Sequence, residues 1–166
     1  MTFSIGEGFA GEGVNAAHVN TMLGAKTGPV GAAWATALAT PRAGHASFVV
    51  VAAPGVPVKP MTLFVNKAFV DAASERHGQL TWGAAQAGVA AGVMNAHRKG
   101  VLRPDGVDEQ VLVAAVWVNP AADDEEAVYE NNAQAMLAAL TAGRDELPSV
   151  QSVLDVGEPR NPYFRA

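Results

Sequence analysis

The chain contains no cysteine, which excludes disulfide staples, thiolate nucleophiles and cysteine-ligated zinc. Cationic side chains are also scarce. Eleven Lys and Arg stand against 16 Asp and Glu, for a formal net charge of -5. Phosphate backbones and anionic membrane surfaces are bound by clustered Lys and Arg, so neither nucleic acid nor membrane fits this balance as a partner. No apolar stretch reaches the roughly 18 residues that a membrane span needs. The start, Met1-Thr2-Phe3-Ser4-Ile5-Gly6-Glu7, lacks the basic region and apolar run of a signal peptide. The expectation is a soluble, cytoplasmic protein.

Repeats, low-complexity tracts and long linkers are missing as well. With 166 residues, 49% of them hydrophobic, the chain suits a single domain over 1–166 with a sizeable core. Of its four histidines, His18, His45, His77 and His97, no two stand three or four residues apart on a helix. No metal site is therefore expected. A Ser-His-Asp signature and a P-loop are absent. Gly6-Glu7-Gly8-Phe9-Ala10-Gly11 fits G-x-G-x-x-G, but no strand of useful length precedes it and no helix pattern follows. Glu7 and Glu12 would also repel a pyrophosphate. A glycine-rich turn or bulge is expected there.

The patterns that are present predict a sequence of elements. Phe3, Ile5 and Glu7 begin a short extended segment. Asn15 to Leu23 alternates as a strand, with Ala17, Val19, Thr21 and Leu23 on one face and His18, Asn20 and Met22 on the other. Pro29 opens a helix that Pro41 and Gly44 end. The Val-rich run Ser47 to Ala53 suggests a buried central strand. Pro54 to Pro60 suggests an irregular or extended loop. Thr62 to Val70 is the next strand, with Phe64 and Asn66 on one face and Val65, Lys67 and Phe69 on the other. A helix capped by Thr81 runs to about Lys99, and Gln110 to Val118 forms a further strand. The acidic run Asp123 to Glu126 starts a helix to about Ala142, as the helix dipole prefers. Val150 to Val156 is a short strand candidate. This order suits an α/β (α+β) fold, a two-layer sandwich of one mixed sheet with helices packed on one face.

Several residues invite a functional reading beside a plainer one. His18, mid-strand beside Asn20, is either a satisfied structural histidine or a functional one. Lys67, inside an apolar strand, is either an edge guard against aggregation or a donor facing a ligand. Gln86 has the surface role usual for its type as the alternative to a ligand contact. His45, His77 and His97 suit surface or capping roles, and Trp34, Trp82 and Trp117 suit the core.

Taken in order, these motifs resemble the formaldehyde-activating enzyme family. Gly6-Glu7, Gly11-Glu12-Gly13 and His18 match its opening, and Ala53-Pro54-Gly55-Val56-Pro57-Val58-Lys59-Pro60 matches its Ala-Pro-x-x-Pro-x-Lys-Pro loop. Asn66-Lys67, Gly83-Ala84-Ala85-Gln86 and Gly88-Val89-Ala90 follow, and Asn161-Pro162-Tyr163-Phe164 loosely echoes a Pro-Phe ending. The resemblance implies condensation of formaldehyde with tetrahydromethanopterin to the methylene derivative and water, formally a hydro-lyase reaction. Tetrahydromethanopterin would be a co-substrate, with no permanently bound cofactor. The resemblance also implies a two-layer α/β subunit in a homopentamer with active sites at subunit interfaces. It implies His18 as general acid and Asn20, Val49, Lys67, Phe69 and Gln86 as pterin contacts. Where this chain has Asn20 the family usually has Asp, and where it has Phe69, Thr. These departures keep a second reading open: a non-catalytic or sensory homologue that binds a pterin or another one-carbon metabolite.

Overall fold

The computed structural model describes residues 3–40, 47–66 and 74–159. Strand β1 (Phe3–Ala10) leads through a 3-10 turn (Gly13–Asn15) into β2 (Ala17–Ala25) and helix α1 (Pro29–Ala39). Next come β3 (Ser47–Val49), β4 (Val51–Ala53), β5 (Val56–Pro57) and β6 (Met61–Asn66). Helix α2 (Glu75–Gln79) passes through a π-helical stretch (Leu80–Ala85) into α3 (Gln86–Arg98). Strand β7 (Gln110–Trp117), the long α4 (Glu125–Asp145) and the short α5 (Val150–Asp155) complete the order.

Five strands form one mixed sheet in the order β1-β2-β7-β6-β3. Only β6 and β7 run parallel in it. The fold is α+β, and β4 with β5 makes a separate two-stranded ribbon. Alternation along the strands sends their side chains to two faces. Ala17, Val19, Phe64, Leu112, Ala114 and Val116 gather with Val89 and Val93 of α3 and Met136 and Leu140 of α4. This is the main core. Phe48 stacks on Phe64 at 4.8 Å between ring centroids. Gly88 and Gly92, one turn apart, let α3 lie directly on α4, where a Cβ would meet Tyr129 or Met136.

The second face is covered only in part. Val111 and Val113 of β7 pack with Met22 and with Val30 and Trp34 of α1. Ser47 ties β3 to the same helix by donating its hydroxyl to the Ala37 carbonyl at 2.6 Å. So α1 adds a cap on the face opposite α3 and α4. The corner formed by Glu7, Phe9, His18 and Asn20 stays uncovered.

Several elements differ from the sequence expectation. Gly6 and Gly8 lie inside a strand rather than a turn or bulge. A Cβ on Gly6 would collide with the Ala139 carbonyl, and one on Gly8 with that of Ala135. The glycines therefore serve helix packing, and only Gly11, at φ +79°, is a turn glycine among the three. Ser47 to Ala53 is not one central strand. It breaks at buried Val50, whose N–H donates to Thr62 and whose carbonyl accepts from Val58. β3 takes the sheet edge, and β4 leaves to pair with β5, which lies within the expected loop. The helix expected from Thr81 begins instead at Glu75, where Ser74 accepts from the His77 N–H. Thr81 lies within it, its hydroxyl donating to the His77 carbonyl. Val150–Asp155 is a helix capped by Ser149, not a strand. The helix end at Pro41 and Gly44, His45, and the 67–70 part of the expected strand fall outside the described residues. No described helix is long and apolar enough to cross a membrane.

Candidate active site

The hairpin of β1 and β2 builds the site. Its register pairs Glu7 with Asn20 and Phe9 with His18. Residues of one parity on β1 are small and buried against α4, so Glu7 and Phe9 must project to the opposite side with His18 and Asn20. There Glu7 Oε1 lies 3.0 Å from His18 Nε2. The Phe9 ring flanks the imidazole at 6.2 Å, tilted by 54°. Trp117 of β7 is in register with His18 on the strand's other side. The imidazole is 38% exposed and the Glu7 side chain 60%, and Asn20 is exposed. The arrangement offers a polar, reachable imidazole with a carboxylate beside one nitrogen, between aromatic neighbours.

The other expected site residues are placed differently. Val49 shares the face of His18 but lies on β3, with β7 and β6 in between. That is three strand spacings, roughly 14 Å. In register it is level with Met22 rather than with His18. Gln86 starts α3, on the opposite layer. Its Oε1 accepts from the Val51 N–H at 2.8 Å, and it lines a concavity of about 470 Å³ with Val51, Ala90, Met94, Arg98 and Tyr129. The amide NH2 of Gln86 has no partner among the described residues. Within one chain, His18 and Asn20 are therefore together, and Gln86 is not with them. Lys67 and Phe69 lie outside the described residues.

His77 and His97 are structural in their contacts, and His45 lies outside the described residues. His77, for which a surface or capping role was expected, is buried, and its Nε2 is 2.9 Å from the Val118 carbonyl. His97 closes the last turn of α3, with Nε2 2.7 Å from the Lys59 carbonyl. Trp82, expected in the core, is exposed and borders a second concavity of about 460 Å³ with Asn66 and His77. Among the described residues no three acidic or histidine side chains converge as a metal site requires. Two exposed ion pairs shift the titration of their members. Lys59 donates to Asp108 at 2.6 Å and holds that carboxyl below the ordinary range. The hydrogen bond between Arg144 and Asp145 raises the first group and lowers the second.

Glu7 is the site residue that sequence reasoning passed over. It entered as part of an extended segment and of glycine-rich motifs, with no role at the site. The usable signal was the alternation Phe3, Ile5, Glu7, Phe9 against Gly6 and Gly8, which makes β1 a two-faced strand that can pair with the strand carrying His18.

Residues 5–163 match the family model described as formaldehyde-activating enzyme (Fae). The chain is similar to the 5,6,7,8-tetrahydromethanopterin hydro-lyase of Methanosarcina barkeri, at 34% identity over 160 residues, covering 96% of this chain and 89% of the relative. It is also similar to the bifunctional enzyme Fae/Hps of the same organism, at 38% identity over 153 residues, covering 92% of this chain and 38% of the relative. The Fae/Hps protein of Archaeoglobus fulgidus is 36% identical over 154 residues, covering 93% of this chain and 39% of the relative. The chain thus spans less than two fifths of the length of these bifunctional relatives.

Proposed function

The chain belongs to the formaldehyde-activating enzyme family, and from that membership we propose that it condenses formaldehyde with tetrahydromethanopterin or a related reduced pterin. The products are the methylene derivative and water, and His18 is the general acid. The observation that carries the reading is the His18 imidazole, reachable on an open sheet face with its Nε2 3.0 Å from the Glu7 carboxylate. A coupled assay for methylene-pterin, read against the spontaneous reaction, tests it.

The chemistry needs one proton delivered at the right moment. A pterin amine attacks the formaldehyde carbon and gives a carbinolamine. Loss of hydroxide from that adduct is slow, whereas loss of water after protonation is fast. An imidazolium is suited to this step near neutral pH. The amine lone pair then forms the iminium as water departs. The second pterin amine closes the ring, and the proton it sheds restores the acid. Holding both amines beside one carbon supplies the rest of the acceleration.

Gln86 is proposed as a pterin contact through its NH2, which has no partner among the described residues and can donate to a ring carbonyl. Because it stands on the layer opposite His18, a site that contains both is completed by a second copy. We propose a homopentamer on this basis and on the family resemblance, with a shared interface of the usual size for a stable contact. Light scattering should return about five times the 17.1 kDa chain mass. A monomer at working concentration would remove the shared site.

Asn20 favours an altered carrier preference, because a neutral amide stands exposed beside His18 where the family usually has Asp. Asn20→Asp combined with Phe69→Thr is expected to bind tetrahydromethanopterin more tightly than the natural chain. A hydrogen bond to a charged group contributes about 1.5–3 kcal/mol. Truncating a phenylalanine in a core costs as much as about 3–5 kcal/mol, so the variant's melt is compared first. A folded double variant with unchanged or weaker pterin affinity would show that these positions do not set carrier choice.

A further inference from the structure

Glu7 is held in place from behind. Gly6 and Gly8 press β1 against the backbone of α4, where either Cβ would collide with a carbonyl. The residue between them can only point to the open face. There it sits opposite Asn20 and one diagonal step from His18, with Oε1 3.0 Å from Nε2. With the ring protonated the contact is an ion pair, and Nδ1 is the nitrogen that does not face the carboxylate.

We propose that Glu7 is a positioning residue for the condensation. Its carboxylate holds the Nε2 edge of His18, so that Nδ1 is the nitrogen that delivers the proton. This rests on the reading of His18 as general acid. In the step, the Nδ1–H bond breaks and an O–H bond forms on the carbinolamine. The C–O bond then breaks with its electron pair, water leaves, and the amine lone pair becomes the second bond of the iminium. The proton released by the ring-closing amine returns to Nδ1. Nε2 stays beside Glu7 throughout, and the carboxylate gains no proton. Phe9 against the ring limits its rotation from the side of β1.

An ion pair this open to water adds little to fold stability. Glu7→Ala and Glu7→Gln should therefore melt within about 2 °C of the natural chain. Loss of a group that orients a functional imidazole typically costs about 10- to 100-fold. Steady-state kinetics of the full-length oligomer with formaldehyde and tetrahydromethanopterin should show Glu7→Ala losing that factor in kcat, with the pterin KM within about twofold. Glu7→Gln keeps an oxygen acceptor at the same reach and should lose less. Wild-type kcat in Glu7→Ala, a loss confined to KM, or a large drop in melting temperature in both variants would overturn the proposal. His18→Ala, measured alongside, separates the two levels of the argument. If it is inactive while Glu7→Ala is unimpaired, only the positioning role fails. If His18→Ala itself turns over normally, the reading of the site fails and the role of Glu7 goes with it.

Discussion

Gly6→Ala should lower the melting temperature by roughly 10 °C or stop the chain from folding. The added Cβ would sit on the Ala139 carbonyl oxygen, 2.8 Å from its carbon and 2.9 Å from the Gly143 nitrogen. All three are backbone atoms of a 21-residue helix that also packs on β2 and α3, so no side chain can swing aside. Overpacking costs about 1–3 kcal/mol and sometimes more, and a rigid obstacle puts this case at the upper end. About 3 kcal/mol corresponds to roughly 6–12 °C in a chain of this size. Gly83→Ala is the control, because nothing lies within 4 Å of the place its methyl group would take and its backbone is not left-handed. It should melt at or slightly above the natural chain. Equal melts for Gly6→Ala and Gly83→Ala would contradict the close seat of β1 on α4, and with it the fixed direction of Glu7.

His18→Ala is expected to lose about 10²- to 10⁴-fold in the condensation rate, the usual worth of a positioned general acid. The fold should survive. The side chain is 38% exposed, and its described side-chain contacts are the Glu7 carboxylate and the Phe9 ring. Initial rates corrected for the spontaneous reaction, with thermal melts on the same samples, separate loss of chemistry from loss of structure. Wild-type turnover in a folded His18→Ala chain would remove the general-acid assignment.

The strand that carries His18 was legible because its period is two. Ala17 and Val19 against His18 and Asn20 give the strand and its buried side directly. β7 and α4 were legible for similar reasons, the latter from its acidic first turn. Long-range placement was not. Periodicity reports burial but not sheet order, so the Val run at 47–53 gave no sign that it splits at Val50 between a sheet edge and a ribbon. Glycine reads as a turn signal in isolation, yet Gly6 and Gly8 are explained only by α4, about 130 residues later in the chain. The spacing of Val150, Val153 and Leu154, with a Ser cap before it, is helical, and the strand expected at Val150 to Val156 did not use that spacing. The site was half legible. His18 and Asn20 follow from one strand face, whereas the opposite-layer position of Gln86 depends on how α3 crosses the sheet, which no local pattern encodes.

The most direct measurement is the rate of methylene-tetrahydromethanopterin formation when purified protein is added to formaldehyde and tetrahydromethanopterin at neutral pH. The account predicts a rate above the spontaneous one that rises in proportion to enzyme and falls to near background with His18→Ala. A rate equal to the spontaneous one, from folded protein that binds the pterin, would contradict it and leave a binding protein in place of an enzyme.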